Sequence, residues 1–297
     1  MNSTSTATRN DLLGIGWMLL AGLCFVIVNG TVRWLGTSLP SPEAAFIRFA
    51  FGLVFLLPVL VPVMRRGFTP RSWRLFALRG AVHSCAVAFW FYAMARITVA
   101  EVTAIGYLSP IIVTLGAALI LGESLSWRRM TAIVVALCGA LIVLRPGLRE
   151  LTPGHLSQVV ASMFFGCSYL IAKRLSAENP ATVVVAMLSL SVTIGLAPLA
   201  MMVWVMPQLS QLLTLALTAA FATTGHYCMT RAFAIAPLTV TQPVTFLQLL
   251  WASLLGWFVF SEKVDLWVLL GGTLMISAIC YITWREAGAR RARPAVV

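Results

Sequence analysis

Several polar side chains stand inside long apolar runs, where hydrocarbon would offer them no partner. Arg79, His83 and Trp90 are spaced four and seven residues apart, so they share one face of a helix. Gln158, Ser162, Tyr169 and Lys173 make a second stripe, and Thr103, Tyr107, Pro110 and Thr114 a third. A fourth run holds Gln242, Pro243, Thr245, Gln248 and Trp251, the last two one turn apart. A fifth carries Thr223, His226 and Thr230, with Tyr227 beside them. Imidazole, amide and hydroxyl groups can hydrogen-bond a small polar ligand, and aromatic faces can stack on its apolar part. The candidate binding residues are therefore His83, Trp90, Tyr107, Gln158, Tyr169, Gln248 and Trp251. The competing reading is that Ser, Thr and Gln only bond from helix to helix as packing. Trp73, Trp127, Trp204, Trp267 and Trp284, near the ends of their runs, read as interfacial anchors.

Chemistry of the catalytic kind is missing from the sequence. There is no HExxH, no Walker Gly-Lys-Ser/Thr, no nucleophile elbow and no pair of nearby carboxylates. The reading is of a protein that is not an enzyme and that uses neither metal nor cofactor. All nine acids, Asp11, Glu43, Glu101, Glu123, Glu150, Glu178, Glu262, Asp265 and Glu286, fall at the ends of apolar runs or between them. A proton-driven exporter of cations needs a carboxylate in the membrane to hold either proton or cargo, so cation export is disfavoured. Any coupled proton would have to pass through His83 or His226, whose type titrates near neutrality. Glu123 and Glu262 read as caps or ion-pair partners at helix ends. Arg48 and Arg79 lie about six residues inside their runs, where a charge costs about 2.5–3.5 kcal/mol on insertion scales. Either they snorkel to the interface or they anchor a carboxylate or phosphate.

The elements that must position these residues are ten apolar stretches. They predict spans over Leu12–Leu35, Glu43–Met64, Trp73–Ala95, Ala100–Leu121 and Trp127–Leu144, then Gly154–Arg174, Ala181–Met206, Gln211–Ala234, Thr239–Phe260 and Leu266–Trp284. About 20 residues cross a bilayer, so ten spans use most of the 297 residues. Only 10% of the chain is charged and its mean hydropathy is +0.93, whereas a soluble domain carries about 25% charge. The second half also repeats the first. An offset of 139 residues lays Glu123 on Glu262, Ala93 on Ala232, Tyr107 on Phe246 and Leu125 on Val264. Five spans per half is an odd number, so the second half must be inverted. Inverted repeats place a binding site between the halves, near the bilayer midplane. The expected fold is an all-α membrane protein of ten transmembrane helices in two inverted five-helix repeats, residues 12–147 and 148–286. Residues 1–11 and 287–297 read as tails.

The net charge of +12 would suit nucleic acid, but its placement does not. Fourteen of the 21 basic residues fall on one side of the alternating spans. Arg33, Arg96, Arg145, Arg149 and Lys263 fall on the other, and Arg48 and Arg79 lie within spans. Basic loops stay in the cytoplasm. Both termini are therefore expected there, with the bilayer and a small molecule as partners and no nucleic acid. The six cysteines all lie inside predicted spans without Cys-x-x-Cys spacing, which reads as packing rather than a disulfide framework.

The stretch from Gly225 to Phe233, GHYCMTRAF, resembles the eighth helix of EamA-type members of the drug/metabolite transporter superfamily. So do Gln248 to Trp257, QLLWASLLGW, running on to Glu262, Phe49-Ala50-Phe51-Gly52 after Arg48, and Leu121-Gly122-Glu123. The resemblance covers residues 12–284. It implies a ten-helix carrier of the bacterial inner membrane that alternates access around a central cavity, with the fifth and tenth helices peripheral. It further implies a small metabolite as cargo. The nearest likeness is to the amino-acid exporter branch, which points to export of amino acids with apolar or aromatic side chains. Uptake of a vitamin or nucleoside-like metabolite, of riboflavin or S-adenosylmethionine type, is the alternative.

Overall fold

The computed structural model describes residues 2–109, 111, 112, 116, 127–148, 150–176, 178–236 and 242–291. Among the described residues, ten α-helices follow in chain order: α1 (Asn2–Leu35), α2 (Ser41–Arg66), α3 (Pro70–Met94), α4 (Val99–Gly106), α5 (Trp127–Leu144), α6 (Pro153–Ser176), α7 (Ala181–Met202), α8 (Leu209–Ile235), α9 (Phe246–Phe260) and α10 (Leu266–Arg291). A short 3-10 turn, Gln242–Thr245, leads into α9. Among the described residues there is no β-strand. Among the described residues, six of the helices are long and apolar enough to cross a membrane, and Ile133–Leu144, Leu247–Phe260 and Leu266–Ala278 are shorter apolar stretches. Helices suit this composition because they satisfy every backbone group within the segment. Large apolar side chains point outward along them, among them Leu20, Leu23, Val54, Phe55, Leu137 and Ile194. Such a surface is stable in lipid and not in water.

Local chemistry fixes several ends. Thr69 accepts the Ser72 amide at 3.2 Å at the start of α3. Thr98 and Glu101 form a reciprocal capping box on α4. Other ends differ from the expected spans. α1 begins at Asn2, because no Gly or Pro interrupts the chain before Gly14, so most of the expected N-terminal tail is helical. α10 likewise runs on to Arg291. α7 stops at Met202, four residues early. There the Val205 amide donates to the buried Glu43 carboxylate at 3.0 Å instead of continuing the helix, and Pro207 follows. α4 ends at Gly106, where the Tyr107 amide closes tightly on the Ala104 carbonyl at 3.1 Å. Pro110, Thr114 and Glu123 lie outside the described residues, as do residues 292–297.

The bundle is built mainly from contacts between the first half of the chain and the second. α1 packs on α8, α3 on α6, α5 on α10 and α2 on α7. Further contacts join α3 to α7, α2 to α8, α1 to α9, and α4 to both α6 and α9. Small residues allow the closest crossings. A Cβ on Gly80 would fall 2.4 Å from Ser191 Cβ, and one on Gly195 2.5 Å from Ser84 Oγ, which locks α3 against α7. A Cβ on Gly271 of α10 would fall 2.5 Å from the Gly139 carbonyl of α5. Ala136 and Ala140 of α5 are buried as well.

Four polar ties join the halves at one end of the bundle. Arg33 Nη2, in the last turn of α1, lies 2.9 Å from Glu262 Oε1. Glu262 Oε2 accepts the Val99 amide at the start of α4 at 3.1 Å. Arg145 pairs with Asp265, and His155 Nε2 lies 3.5 Å from Glu101 Oε1. Burial raises the Glu262 carboxyl above the ordinary carboxylate range, opposed by the Val99 amide and by Arg33.

Candidate binding site

His83 stands near the middle of α3 and is 1% exposed. Its Nδ1 is 3.0 Å from Ser168 Oγ on α6. Its ring meets Phe49 of α2 edge-on at 5.9 Å, Phe165 of α6 at 5.2 Å and His226 of α8 at 6.0 Å. The series continues on both sides. Phe165 stacks on Tyr169 with centroids 6.0 Å apart, and His226 meets Phe25 of α1 at 5.1 Å. Five helices, three from the first half and two from the second, therefore converge on one aromatic cluster.

Two arginines join it. Arg79 lies one turn before His83 and is 4% exposed, and Arg48 is 7% exposed. Neither snorkels, as one reading of the sequence had it. Arg79 Nη1 donates to the Val184 carbonyl of α7 at 3.1 Å, while its Nε is buried without a hydrogen-bond acceptor. The Arg48 guanidinium sits 3.8 Å above the ring of Phe49. Both are within electrostatic reach of His83 and His226, and Arg79 of Tyr169. Among the described residues no carboxylate pairs with either.

The remaining expected residues divide. Tyr107 is buried, and its hydroxyl donates to the Thr245 carbonyl at 3.3 Å. That bond links the end of α4 to the 3-10 turn before α9. Gln158 is buried in the seam between α6 and α4. Its Nε2 donates to the Val102 carbonyl at 3.1 Å, and Ser162 Oγ to that of Ile105 at 3.2 Å. These donors serve carbonyls near the C-terminal end of α4, where helices lack internal partners. Gln158 Oε1 is left without a donor. Trp90 is half-buried against the core, two turns beyond His83. Gln248 is half-buried and lies over Gly22 of α1, where a Cβ would sit 3.3 Å from its Cγ.

Trp251 does not join the cluster. It is 40% exposed, on an outer arc of α9 with Leu250 and Phe258. The physical reason is helical phase: Gln248 and Leu255 occupy the side against Gly22 and Gly30 of α1, and Leu249 faces Gly272 of α10. One turn from Gln248 carries Trp251 past the contact face.

Sequence reasoning missed Phe25, Phe49, Phe165 and Ser168, and weighed Arg48, Arg79 and His226 without including them. The available signals were the four-residue spacings of Arg79 to His83 and Phe165 to Tyr169. A cleft of about 270 Å³ between α5 and α10 lies apart from the cluster, and its described lining, Thr131, Val135, Ser277, Ala278 and Tyr281, is uncharged.

The arrangement suits holding a small molecule between two interleaved halves, and the match to known proteins decides the class. The EamA-like transporter family is matched twice, over residues 12–145 and 152–284. This chain belongs to the EamA-like transporter family. A riboflavin transporter of Rhizobium johnstonii is 32% identical over 98% of this chain and 98% of its own length. An S-adenosylmethionine uptake transporter of Rickettsia prowazekii is 27% identical, covering 94% and 95%. The pseudopaline exporter CntI of Pseudomonas aeruginosa is 26% identical, covering 94% and 99%. A solved crystal structure with 15% identity shares the fold at a TM-score of 0.63, over 94% of this chain and 99% of its own. The EamA-like chain is thus a multi-pass membrane transporter of small metabolites, not an enzyme.

Proposed function

We propose that this transporter carries a small metabolite with an aromatic or planar apolar part, by alternating access between two inverted five-helix repeats, residues 12–147 and 148–286. The observation that carries the reading is the convergence of Phe25, Phe49, His83, Phe165, Tyr169 and His226 from both halves. The helix pairings support the repeat. Advancing every helix by five turns the α1–α8 contact into α6–α3, α3–α7 into α8–α2, and α1–α9 into α6–α4, all of which occur. The α2–α7, α4–α9 and α5–α10 contacts map onto themselves, as pairs on a pseudo-two-fold axis must. Ten spans and an odd number per half then make the repeats antiparallel in the membrane. The basic asymmetry supports cytoplasmic termini in a bacterial inner membrane.

Two substrate readings share this chemistry. Export of amino acids with apolar or aromatic side chains fits the ring cluster, with His83 and nearby donors at the polar end. Uptake of a riboflavin- or S-adenosylmethionine-like compound is favoured by what the relatives carry. His83, Tyr169 and their ring neighbours form the proposed site, with Trp90, Tyr107, Gln158 and Gln248 around it. Purified protein in liposomes preloaded with unlabelled riboflavin, S-adenosylmethionine or tryptophan should accumulate the labelled counterpart of at least one, saturably. His83→Ala or Phe165→Ala, at matched melting temperature, should slow that counterflow about tenfold or more. Absence of counterflow with all three, or full rates in both variants, would overturn the reading.

A further inference from the structure

Buried charges in a protein are ordinarily paired, because an unpaired one loses its hydration without return. Arg48 and Arg79 break that rule together. Both are more than nine-tenths buried, whereas Glu43, Glu101, Glu150, Glu178, Glu262 and Asp265 stand at helix ends or in loops, and Asp11 and Glu286 lie in the terminal extensions of α1 and α10. Arg79 spends one donor on the Val184 carbonyl and keeps a buried Nε without an acceptor. Arg48 makes no hydrogen bond to a described residue and rests on an aromatic face. The polar groups within electrostatic reach of them are His83, His226 and, for Arg79, Tyr169, none of which is an anion at neutral pH. Glu43, the nearest acid along α2, turns its Oε2 to the Val205 amide. The fork of guanidinium donors matches a carboxylate or phosphate in geometry as well as charge.

We propose that Arg48 and Arg79 form an anion site, which takes the carboxylate or phosphate of the substrate while the rings around His83 take its apolar part. This deepens the transporter reading and rests on it for the word substrate. It also separates riboflavin, which carries no such anion, from amino acids and S-adenosylmethionine, each of which carries a carboxylate.

The test uses the full-length purified protein and two matched pairs of fragments. Benzoate and benzamide differ by a carboxylate charge, and phenyl phosphate and phenol by a phosphate. At constant ionic strength, benzoate or phenyl phosphate should raise the melting temperature, and the neutral partner should not. Which anion acts identifies the group. Arg48→Gln and Arg79→Gln should each lower the apparent affinity about tenfold or more, as expected for losing a hydrogen bond to a charged group. The ligand-free glutamine variants should melt no lower than the parent, because each removes an uncompensated buried charge. A purely structural arginine would give the opposite. Arg48→Lys and Arg79→Lys keep the charge, and each should retain more anion binding than its glutamine counterpart. Equal stabilisation by the neutral fragments, no stabilisation by either anion, or unchanged anion binding in both glutamine variants would overturn the site. Anion binding without counterflow would instead keep the site and sink the transport reading.

Discussion

Replacing Gly271 with alanine tests whether α5 and α10 are held by direct backbone contact. The added Cβ would meet the Gly139 carbonyl at 2.5 Å, Val143 Cγ2 at 2.7 Å and the Val143 amide nitrogen at 3.0 Å. Two of these are backbone atoms and cannot swing aside. Restoring a 3.4 Å contact to the carbonyl requires the helices to part by about 0.9 Å there. Overpacking of this kind costs about 1–3 kcal/mol. At about 2–4 °C per kcal/mol, the melting temperature should fall by roughly 2–12 °C. Gly16→Ala is the control, because a Cβ at that helical position meets nothing within 4 Å. There the lost glycine flexibility should stabilise the helix by about 0.5–1 kcal/mol. The assay is thermal unfolding of both variants in one detergent, followed by fragment binding on the folded fraction. Binding should be retained in Gly271→Ala, since its contacts are remote from His83. The reasoning is refuted if Gly271→Ala melts as high as Gly16→Ala.

Trp251→Ala should weaken ligand binding no more than Trp267→Ala, since both side chains are at least 40% exposed; direct titration of melting-matched variants checks this. Glu262→Gln should flatten part of the pH dependence of stability. The folded-state carboxyl holds its proton above the ordinary range, so its contribution fades as pH rises from about 4.3 through the folded value. The melting temperature of the parent relative to Glu262→Gln should accordingly drop over that window, and a pH-independent difference would contradict it. Single cysteines placed in the two tails of a cysteine-free variant should resist an impermeant thiol reagent on whole cells, and rapid labelling at either end would reverse the assigned orientation.

The helical fold could be read because lipid makes apolar length informative: runs such as Leu12–Leu35 and Ala181–Met206 become helices, the second stopping at Met202. His83 and Tyr169 were legible for the same reason, as polar groups that apolar surroundings do not explain. Phe49 and Phe165 were not, because an aromatic ring is equally at home against lipid or against a ligand. Arg48 and Arg79 left two outcomes open, since snorkelling depends on what neighbouring helices leave accessible. Trp251 misled because a one-turn spacing keeps two residues near each other without fixing which of them faces the partner helix. The end of α4 at Gly106 was hidden behind the more obvious signal of Pro110.

The Arg33–Glu262 and Arg145–Asp265 pairs lie at one end of the bundle, and each joins residues from different halves. A carrier that alternates must part them every time that end opens. At about 0.5–1 kcal/mol for each pair, they bias the balance between conformations by about five- to thirtyfold toward closure there. Electrolyte screens such pairs over a Debye length of about 8 Å at physiological ionic strength, and it reaches them only from the compartment they face. Raising salt in that compartment should speed exchange, while the same salt across the membrane should not. The molecule would then respond to ionic strength with a sidedness that its nearly symmetric architecture does not suggest.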